Sequence, residues 1–583
     1  MLAFKMWYTE PTPPGLIDDS WYWTENHQIL FHTIEYLMGQ TYPNEIFGSD
    51  GRTGAEHRDE GARLVRRWLD LRARVGFSEF YSNVYYQKDI ISLLTLVEYA
   101  ADEDIRVRAA GILDIMWFDL AMHTFRGAFG VPHGRSEKKD KMGSLNDDTW
   151  GGVKLLFDRS TYPYQSSSHP DAFLLARSAR YRLAAAILHV ARHEETFADR
   201  ERMGFPINEF GPYRPDPPAP LGLDFDDPDQ LTLWWGIGGL ITWQIVPQTI
   251  ATMNQYNLWE SELFLPFGGI RPLAGDPFLA QQIAISTARF LNFGLLKEVN
   301  TYFYRTADYM LSSVQDYRPG SRGWEQHTWQ ATFDANAMVF TNHPSIPPRR
   351  TTNWRDDPDA GYWTGEASMP RSAQLENVAI HIYAPQYSPP AAPFDIIRYE
   401  PYTHAYFPQD HFDEVVQSGN WTFGRYADGF VALYSHRPTE WVIYDPTEFA
   451  TDGMEKPFDL KAPGGPNNVW IVECGRAADW ESFAAFRDAI AAATVTVTPL
   501  GPIDRGSTGF DVVYESPSQG VISFGWDGDP LVVAGQEIQI TGFPRFANPW
   551  SQVPFEEKRY TITYGSDEVE LDFDAPTRIV RGD

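Results

Sequence analysis

The chain reads as a multidomain α and β protein: an all-helical N-terminal domain over residues 1–298, expected to form an α/α toroid, followed by an antiparallel β-sandwich over 299–583. Three observations predict this. Up to about Lys297 apolar residues recur three and four apart, the spacing of one helix face. From about Val299 they alternate in short runs broken by Pro, Gly, Asn and Asp, the pattern of half-buried strands. At 583 residues the chain also exceeds one ordinary core.

The first helix follows Trp21-Tyr22-Trp23-Thr24-Glu25-Asn26-His27-Gln28 and carries Ile29, Leu30, Ile34 and Leu37, with Thr24 as the N-cap. A second, through Leu64, Val65, Trp68, Leu69 and Leu71, places Arg66, Arg67, Arg72 and Arg74 outside and stops at Gly76. Phe77 to Tyr86, polar and aromatic together, leads to a third helix with Ile90, Ile91, Leu94 and Val97 on one face. Asp102 to Asp104 open a fourth, through Ile105, Ala109, Ile112, Leu113, Met116 and Phe118. Gly127 to Asp148 is a long loop, and loops of that length inside a compact domain are functional or disordered. Helical patterning returns from Ala172 to Val190, is interrupted by the Pro-rich Pro212 to Pro220, and continues through Leu231 to Trp259 and Pro277 to Lys297. Consecutive helices joined by polar loops of uneven length suit a toroid of helix pairs better than a four-helix bundle, and no fixed period marks a solenoid.

In the second half, strands are expected at Tyr302 and Tyr304, Thr328–Phe333, Met338–Phe340, Val378–Tyr383, Phe430–Tyr434, Trp441–Tyr444, Val469–Val472, Val512–Tyr514 and Tyr560–Tyr564. One helix, Trp480 to Ala493, breaks the series. So many short strands suit a large antiparallel sandwich.

Composition narrows the function. A net charge of -30 repels nucleic acid and anionic membranes, so neither is an expected partner. Aromatic residues reach 15%, with 20 Trp and 29 Tyr, more than cores need, which leaves rings to line a cleft for flat, partly apolar ligands such as sugars. A single cysteine, Cys474, excludes an internal disulfide and a thiolate zinc cluster. Met1 to Trp7 has no signal-peptide pattern and no later run spans a bilayer, so the chain as written reads as soluble and cytoplasmic, with secretion left open for a trimmed chain. The oligomeric state is left open, a dimer included.

The candidate chemistry sits at two polar, aromatic stretches and one loop. At the first helix start, Glu25, Asn26 and His27 follow three aromatic rings, which is a sugar site or an aromatic staple over a capped helix. Glu79, Asn83 and Tyr85 lie in the second stretch. His133 is held by Pro132 and Gly134 beside Arg135, a carboxylate fork. His327 falls in a strand near the domain boundary, and Trp235 and Tyr302 are candidate sugar platforms, although large aromatics are highly buried on average and core packing is the favoured reading. His404, Asp410, His411 and Asp413 could hold a divalent cation if the sheet brought them together; no cofactor is required otherwise.

An α/α toroid followed by an antiparallel sandwich resembles polysaccharide lyases of the heparinase II/III, alginate lyase and chondroitin AC/hyaluronate lyase type. Trp23 to His27 resembles the asparagine-bearing helix start of the hyaluronate lyase toroid. Asn300 to Arg305, Asp308 to Ser313, Gln326 to Ala331, Val339 to Pro344 and Gly429 to Tyr434 resemble the first strands of the β-domain. The resemblance implies β-elimination from a uronic-acid-containing polysaccharide or oligosaccharide, with an Asn neutralising the carboxylate beside a His and Tyr pair, and by motif match that Asn is Asn26. A uronate lyase must neutralise the carboxylate, remove the C5 proton and protonate the leaving oxygen. Asn26, His133 as base, Tyr85 as acid and Arg135 are the expected catalytic set; Glu25, His27, Glu79, Asn83, Trp235, Tyr302 and His327 are the expected substrate contacts. A glycoside hydrolase with two carboxylates from Glu25, Glu79, Asp147, Asp148 and Glu260 is the alternative, and a non-catalytic glycan-binding protein the third reading.

Overall fold

The structure, a computed structural model, describes residues 5–582 apart from 6, 11, 13–14, 16, 19, 165–168, 212–217, 351–360, 365–366, 390–397, 452 and 502–507. Most of the expected Pro212 to Pro220 connection, and Met1 to Phe4, lie outside the described residues.

The helical period builds four consecutive helices: α1 (Glu25–Thr41), α2 (Gly54–Val75), α3 (Tyr86–Tyr99) and α4 (Glu103–His123). A reciprocal capping box between Thr53 and Glu56 starts α2, and Gly76, at φ 66°, ends it in a conformation that favours glycine. α1 and α2 approach across glycines: a Cβ on Gly61 would lie 2.6 Å from the Tyr36 backbone nitrogen, and Gly39 meets the Arg58 backbone in the same way. Arg72, expected outside, is buried instead. Its guanidinium pairs with the Glu25 carboxylate and lies over the rings of Trp68 and Phe77, because the face of α2 that carries it meets the start of α1. α4 is buried continuously from Ala109 to His123, the signature of a helix enclosed on all sides.

The Gly127 to Asp148 stretch is ordered. It contains a small hairpin of Thr124–Phe125 with Ala128–Phe129 and a short helix, Lys138–Lys141, in which Lys138, Asp140 and Lys141 are buried. Helices Pro170–Arg177, Ala185–Ala191, Leu231–Gly236, Val246–Gln255 and Pro277–Leu291 follow. Among them lies a strand, Phe197–Met203, within the half expected to be helical. It pairs antiparallel with Val299–Arg305, Phe197 opposite Arg305 and Met203 opposite Val299, and on its other side with Phe546–Asn548. Two of its four inward positions are Asp199 and Glu201, so no apolar alternation announces it.

That strand belongs to a ten-stranded antiparallel sheet running from Glu440–Val442 at one edge to Ser551–Val553 at the other, with Val299–Arg305, Met310–Val314, Trp329–Thr332 and Met338–Asn342 side by side within it. One face packs Leu311, Trp329 and Val339 against Val431, Leu433, Trp470 and Val472 of a six-stranded sheet. The six-stranded sheet turns Ile380, Phe423 and Ile471 to Val512, Tyr514 and Phe524 of a five-stranded sheet and to helix Phe483–Ala491. The other face of the ten-stranded sheet sends Phe303, Met310 and Val314 into the core of α1 to α4. A last three-stranded sheet, Arg559–Tyr564, Asp567–Asp572 and Thr577–Arg581, packs Tyr560, Ile562 and Leu571 into that same helical core. The molecule is thus an N-terminal helical region followed by several antiparallel sheets, with strand contacts crossing the 298/299 junction both ways. Among the described residues, no helix is long and apolar enough to cross a membrane.

Gly61→Ala gains about 1 kcal/mol in helix propensity but forces a methyl group against the α1 backbone, and overpacking costs about 1–3 kcal/mol. The clash wins, so the urea midpoint falls; an unchanged or higher midpoint refutes the close approach of α1 and α2.

Candidate functional site

The site is built where the start of α1, the segment between α2 and α3, and the 133–135 stretch meet. Past Gly76 the chain turns so that the Ser78 and Glu79 N–H groups donate to the two oxygens of Glu25, at 3.1 and 2.9 Å. With Arg72 also on this carboxylate, Glu25 fastens α1 to the Phe77 to Tyr85 segment and is not open to a ligand.

Glu79 is fully buried, and burial pushes its carboxyl up to about 7 against the opposing pull of Arg135, Arg72 and the Asn26 backbone N–H. Arg135 Nε lies 4.0 Å from Glu79 Oε1, and Glu79 Oε2 has no hydrogen-bond partner. The expected carboxylate fork is partly occupied: Nη1 of Arg135 donates to the Trp324 carbonyl at 2.9 Å and Nη2 to the Gly294 carbonyl at 3.2 Å. Arg135 therefore supplies positive charge more than an open pair of donors.

Thr24 occupies the N-cap position in extended conformation, but its hydroxyl caps no backbone N–H. It donates to Asn26 Oδ1 at 2.7 Å and lies 2.5 Å from His27 Nδ1. A hydroxyl has one proton; given to Asn26, it leaves the oxygen to accept from His27 Nδ1–H, which makes Nε2 the lone-pair nitrogen. The His27 ring is half-buried, and burial holds its pKa below the usual value, so it is neutral at neutral pH. Of the aromatic rings before it, Trp23 is in the core and Trp21 is 42% exposed.

Tyr85 immediately precedes α3, its N–H on Ser82 Oγ at 3.1 Å, and Ser82 Oγ donates in turn to the Arg135 carbonyl at 2.9 Å. Burial, then Glu325 and Glu79, push the Tyr85 phenol far above its ordinary pKa, so it keeps its proton. Its side chain remains half-buried.

His133, expected in a long loop, is 2% exposed. Its backbone bridges His327 in both directions, at 2.9 and 2.8 Å, and the two rings stack with centroids 5.7 Å apart. Nδ1 of His133 donates to the Tyr81 carbonyl, and burial pushes its pKa down to about 3. His327 bonds Gln330 through Nε2 at 2.9 Å and is likewise held neutral by burial, with the buried Lys141 adding to the effect. Both rings are thus uncharged at neutral pH.

The remaining candidates are structural. Asn83 donates to Asp147 at 3.0 Å and its carbonyl accepts from Asp148, fastening the 144–149 turn. Asp147 is buried, Asp148 pairs with Lys88, and Glu260 pairs with Arg271 at the surface, so these hydrolase candidates already have other partners. Trp235 is buried against Trp23 and Tyr8 with Nε1 on Thr249, and Tyr302 is buried beneath Arg200, so neither ring face is open to a sugar. His404 bonds Asp459 at 3.0 Å and stacks on Trp363, whereas the Asp410 carboxylate accepts the Glu455 and Lys456 N–H groups. His404, Asp410 and His411 do not converge as cation ligands; among the described residues the group that does is His123, Asp199 and Glu201. Arg72, Lys141 and Glu325, which shape the site's charge, carry no local signal, because each is brought there by tertiary packing.

The folded state holds the Glu79 proton up to about pH 7, whereas a free glutamate releases it near 4.5. Between these values the folded state binds more protons, so this group makes stability fall as pH rises. Glu79→Gln removes that loss: between pH 5 and 8 its stability relative to the wild type improves by about 3 kcal/mol, read from urea melts at both pH values. Parallel pH profiles for the two proteins would rule out a protonated Glu79.

No protein family and no curated protein matches the chain. Among solved structures, the chain has weak similarity to a crystal structure of heparinase III, at 8% identity and a TM-score of 0.20, over 88% of this chain and 77% of that one. It is similar at the same level to heparan sulfate lyase HepC from Pedobacter heparinus, at 10% identity and a TM-score of 0.21, over 90% of this chain and 77% of that one. Similarity of this strength assigns no family.

Proposed function

We propose that the protein is a β-eliminating lyase acting on a uronic-acid-containing glycan, with its site where α1, the Phe77 to Tyr85 segment and Arg135 meet. The observation that carries this is the grouping around Glu79 of the Asn26 backbone N–H, the Arg135 guanidinium and the Tyr85 phenol, held protonated, with the neutral His27 imidazole next to Asn26 in the chain. In this reading the helical region is a toroid and the ten- and six-stranded sheets form the sandwich behind it.

The Asn26 amide and the Arg135 charge stabilise the C6 carboxylate as negative charge builds on it during loss of the C5 proton. His27 Nε2 takes that proton. His133 is the weaker base, because its buried ring would become an imidazolium with no solvent to stabilise it. Tyr85 gives its proton to the leaving O4 as the C4–O bond breaks and the C4–C5 double bond forms; solvent then returns the His27 proton to Tyr85. A protonated Glu79 presents no charge to the uronate, and Glu25 is cancelled by Arg72 and two N–H groups. The acidic neighbours therefore do not repel the substrate, and the global charge of -30 is screened at the range over which Arg135 acts.

A panel of uronate and neutral glycans tests the reaction. The expected result is an ultraviolet-absorbing unsaturated product from at least one uronate polymer. Asn26→Ala and Tyr85→Phe should each lower kcat by about 10²–10⁴ without loss of fold, and His27→Ala should cost more than His133→Ala. Hydrolysis of a neutral glycan with no absorbing product from any uronate would end the lyase reading.

A further inference from the structure

A second group of ionisable side chains lies apart from that site, where α4 ends against the ten-stranded sheet. His123 closes α4, and Asp199 and Glu201, two residues apart on the strand Phe197–Met203, point to the same face. All three are fully buried. Around them Asp119 adds a third carboxylate, against the single guanidinium of Arg545. Arg545 reaches Glu201 Oε2 at 2.7 Å and Asp119 Oδ2 at 3.4 Å, Tyr81 Oη donates to Glu201 Oε2, and Asn548 donates to Asp199 Oδ1 at 3.0 Å. What these partners leave is one atom from each residue, turned toward the others. His123 Nε2 lies 3.1 Å from Asp199 Oδ2 and 3.7 Å from Glu201 Oε1, and Glu201 Oε1 has no hydrogen-bond partner despite full burial.

We propose that His123, Asp199 and Glu201 bind one divalent transition-metal ion of the zinc type. Metal–ligand bonds of about 2.0–2.2 Å in a tetrahedron put neighbouring ligand atoms about 3.3 Å apart, a value the two observed separations bracket. One imidazole with two carboxylates suits zinc, manganese or iron(II), while calcium prefers six to eight oxygens. The ion supplies the positive charge that three carboxylates and one guanidinium lack. The His123 ring is already oriented, stacked on Phe303 with centroids 3.8 Å apart, and the carbonyl end of α4 favours a cation. The ion would clasp α4 to the strand Phe197–Met203 and, through Arg545 and Asn548, to the segment that follows the five-stranded sheet. This proposal is independent of the lyase reading.

The test is the metal content of the full-length protein, produced in zinc-supplemented medium, dialysed into metal-free buffer and measured by elemental mass spectrometry. The expected result is about one zinc per chain, falling at least tenfold in Asp199→Asn and Glu201→Gln. Protein produced with cobalt(II) should show the visible absorption of a low-symmetry nitrogen and oxygen site, a wild-type measurement that does not depend on either variant folding. Wild-type protein with less than about a tenth of an equivalent of zinc and no cobalt spectrum overturns the proposal, as does zinc retained in full by both soluble variants.

Discussion

Arg545 is fully buried, and its guanidinium is the point on which the architecture turns. It emerges from the segment after the five-stranded sheet, crosses into the helical half, and meets Glu201 on the strand Phe197–Met203 and Asp119 on α4. A charge buried this way stabilises little by itself, but removing it leaves carboxylates without a counter-charge, which costs about 3–5 kcal/mol. The contact therefore works as a constraint on assembly. The helices, the ten-stranded sheet and the returning segment must all be in place before any of these charges is satisfied.

The same logic, at smaller scale, makes the candidate site. Glu25 is held by Arg72 and by two backbone N–H groups, and this fixes the start of α1 against the segment that carries Glu79 and Tyr85. Burial also sets the charge of the groups around it: His133 and His327 are neutral, Tyr85 keeps its proton, and the Glu79 carboxyl is shifted up to about 7. Arg135 and Lys141 place positive charge in this region of a chain whose net charge is -30.

Much of this is legible in the sequence, and the failures share a cause. α1 to α4 follow the helical period, and the strands Val378–Tyr383 and Gly429–Ser435 stand out as continuous apolar runs. Asn26, His27, Glu79, Tyr85 and Arg135 stand out in the sequence as polar groups at a helix start, in an aromatic segment and in a glycine-bounded loop. The strand Phe197–Met203 was hidden because buried carboxylates occupy the positions where apolar residues would mark it, and the inward turn of Arg72 because its partner lies on another helix. The Gly127 to Asp148 stretch reads as a long loop, yet its buried Lys141 donates to the Gln326 and Thr364 carbonyls, contacts that no local pattern encodes. Trp235 and Tyr302 are core, the reading that the usual burial of large aromatics favours over a sugar platform. Whether the helices close into a ring depends on pairings between distant segments, which periodicity does not report.

The position of Arg545 also sets a timetable. The Asp119–Arg545 contact spans 426 residues, and at a synthesis rate of 5–20 residues per second its second half follows the first by roughly 20 to 85 s. Throughout that interval α4, which is buried continuously from Ala109 to His123 in the finished fold, has no strand Arg559–Tyr564 to cover it, and Asp119 and Glu201 have no guanidinium. The helical half therefore stays incompletely covered until the segment that carries Arg545 and the strand Arg559–Tyr564 has been made.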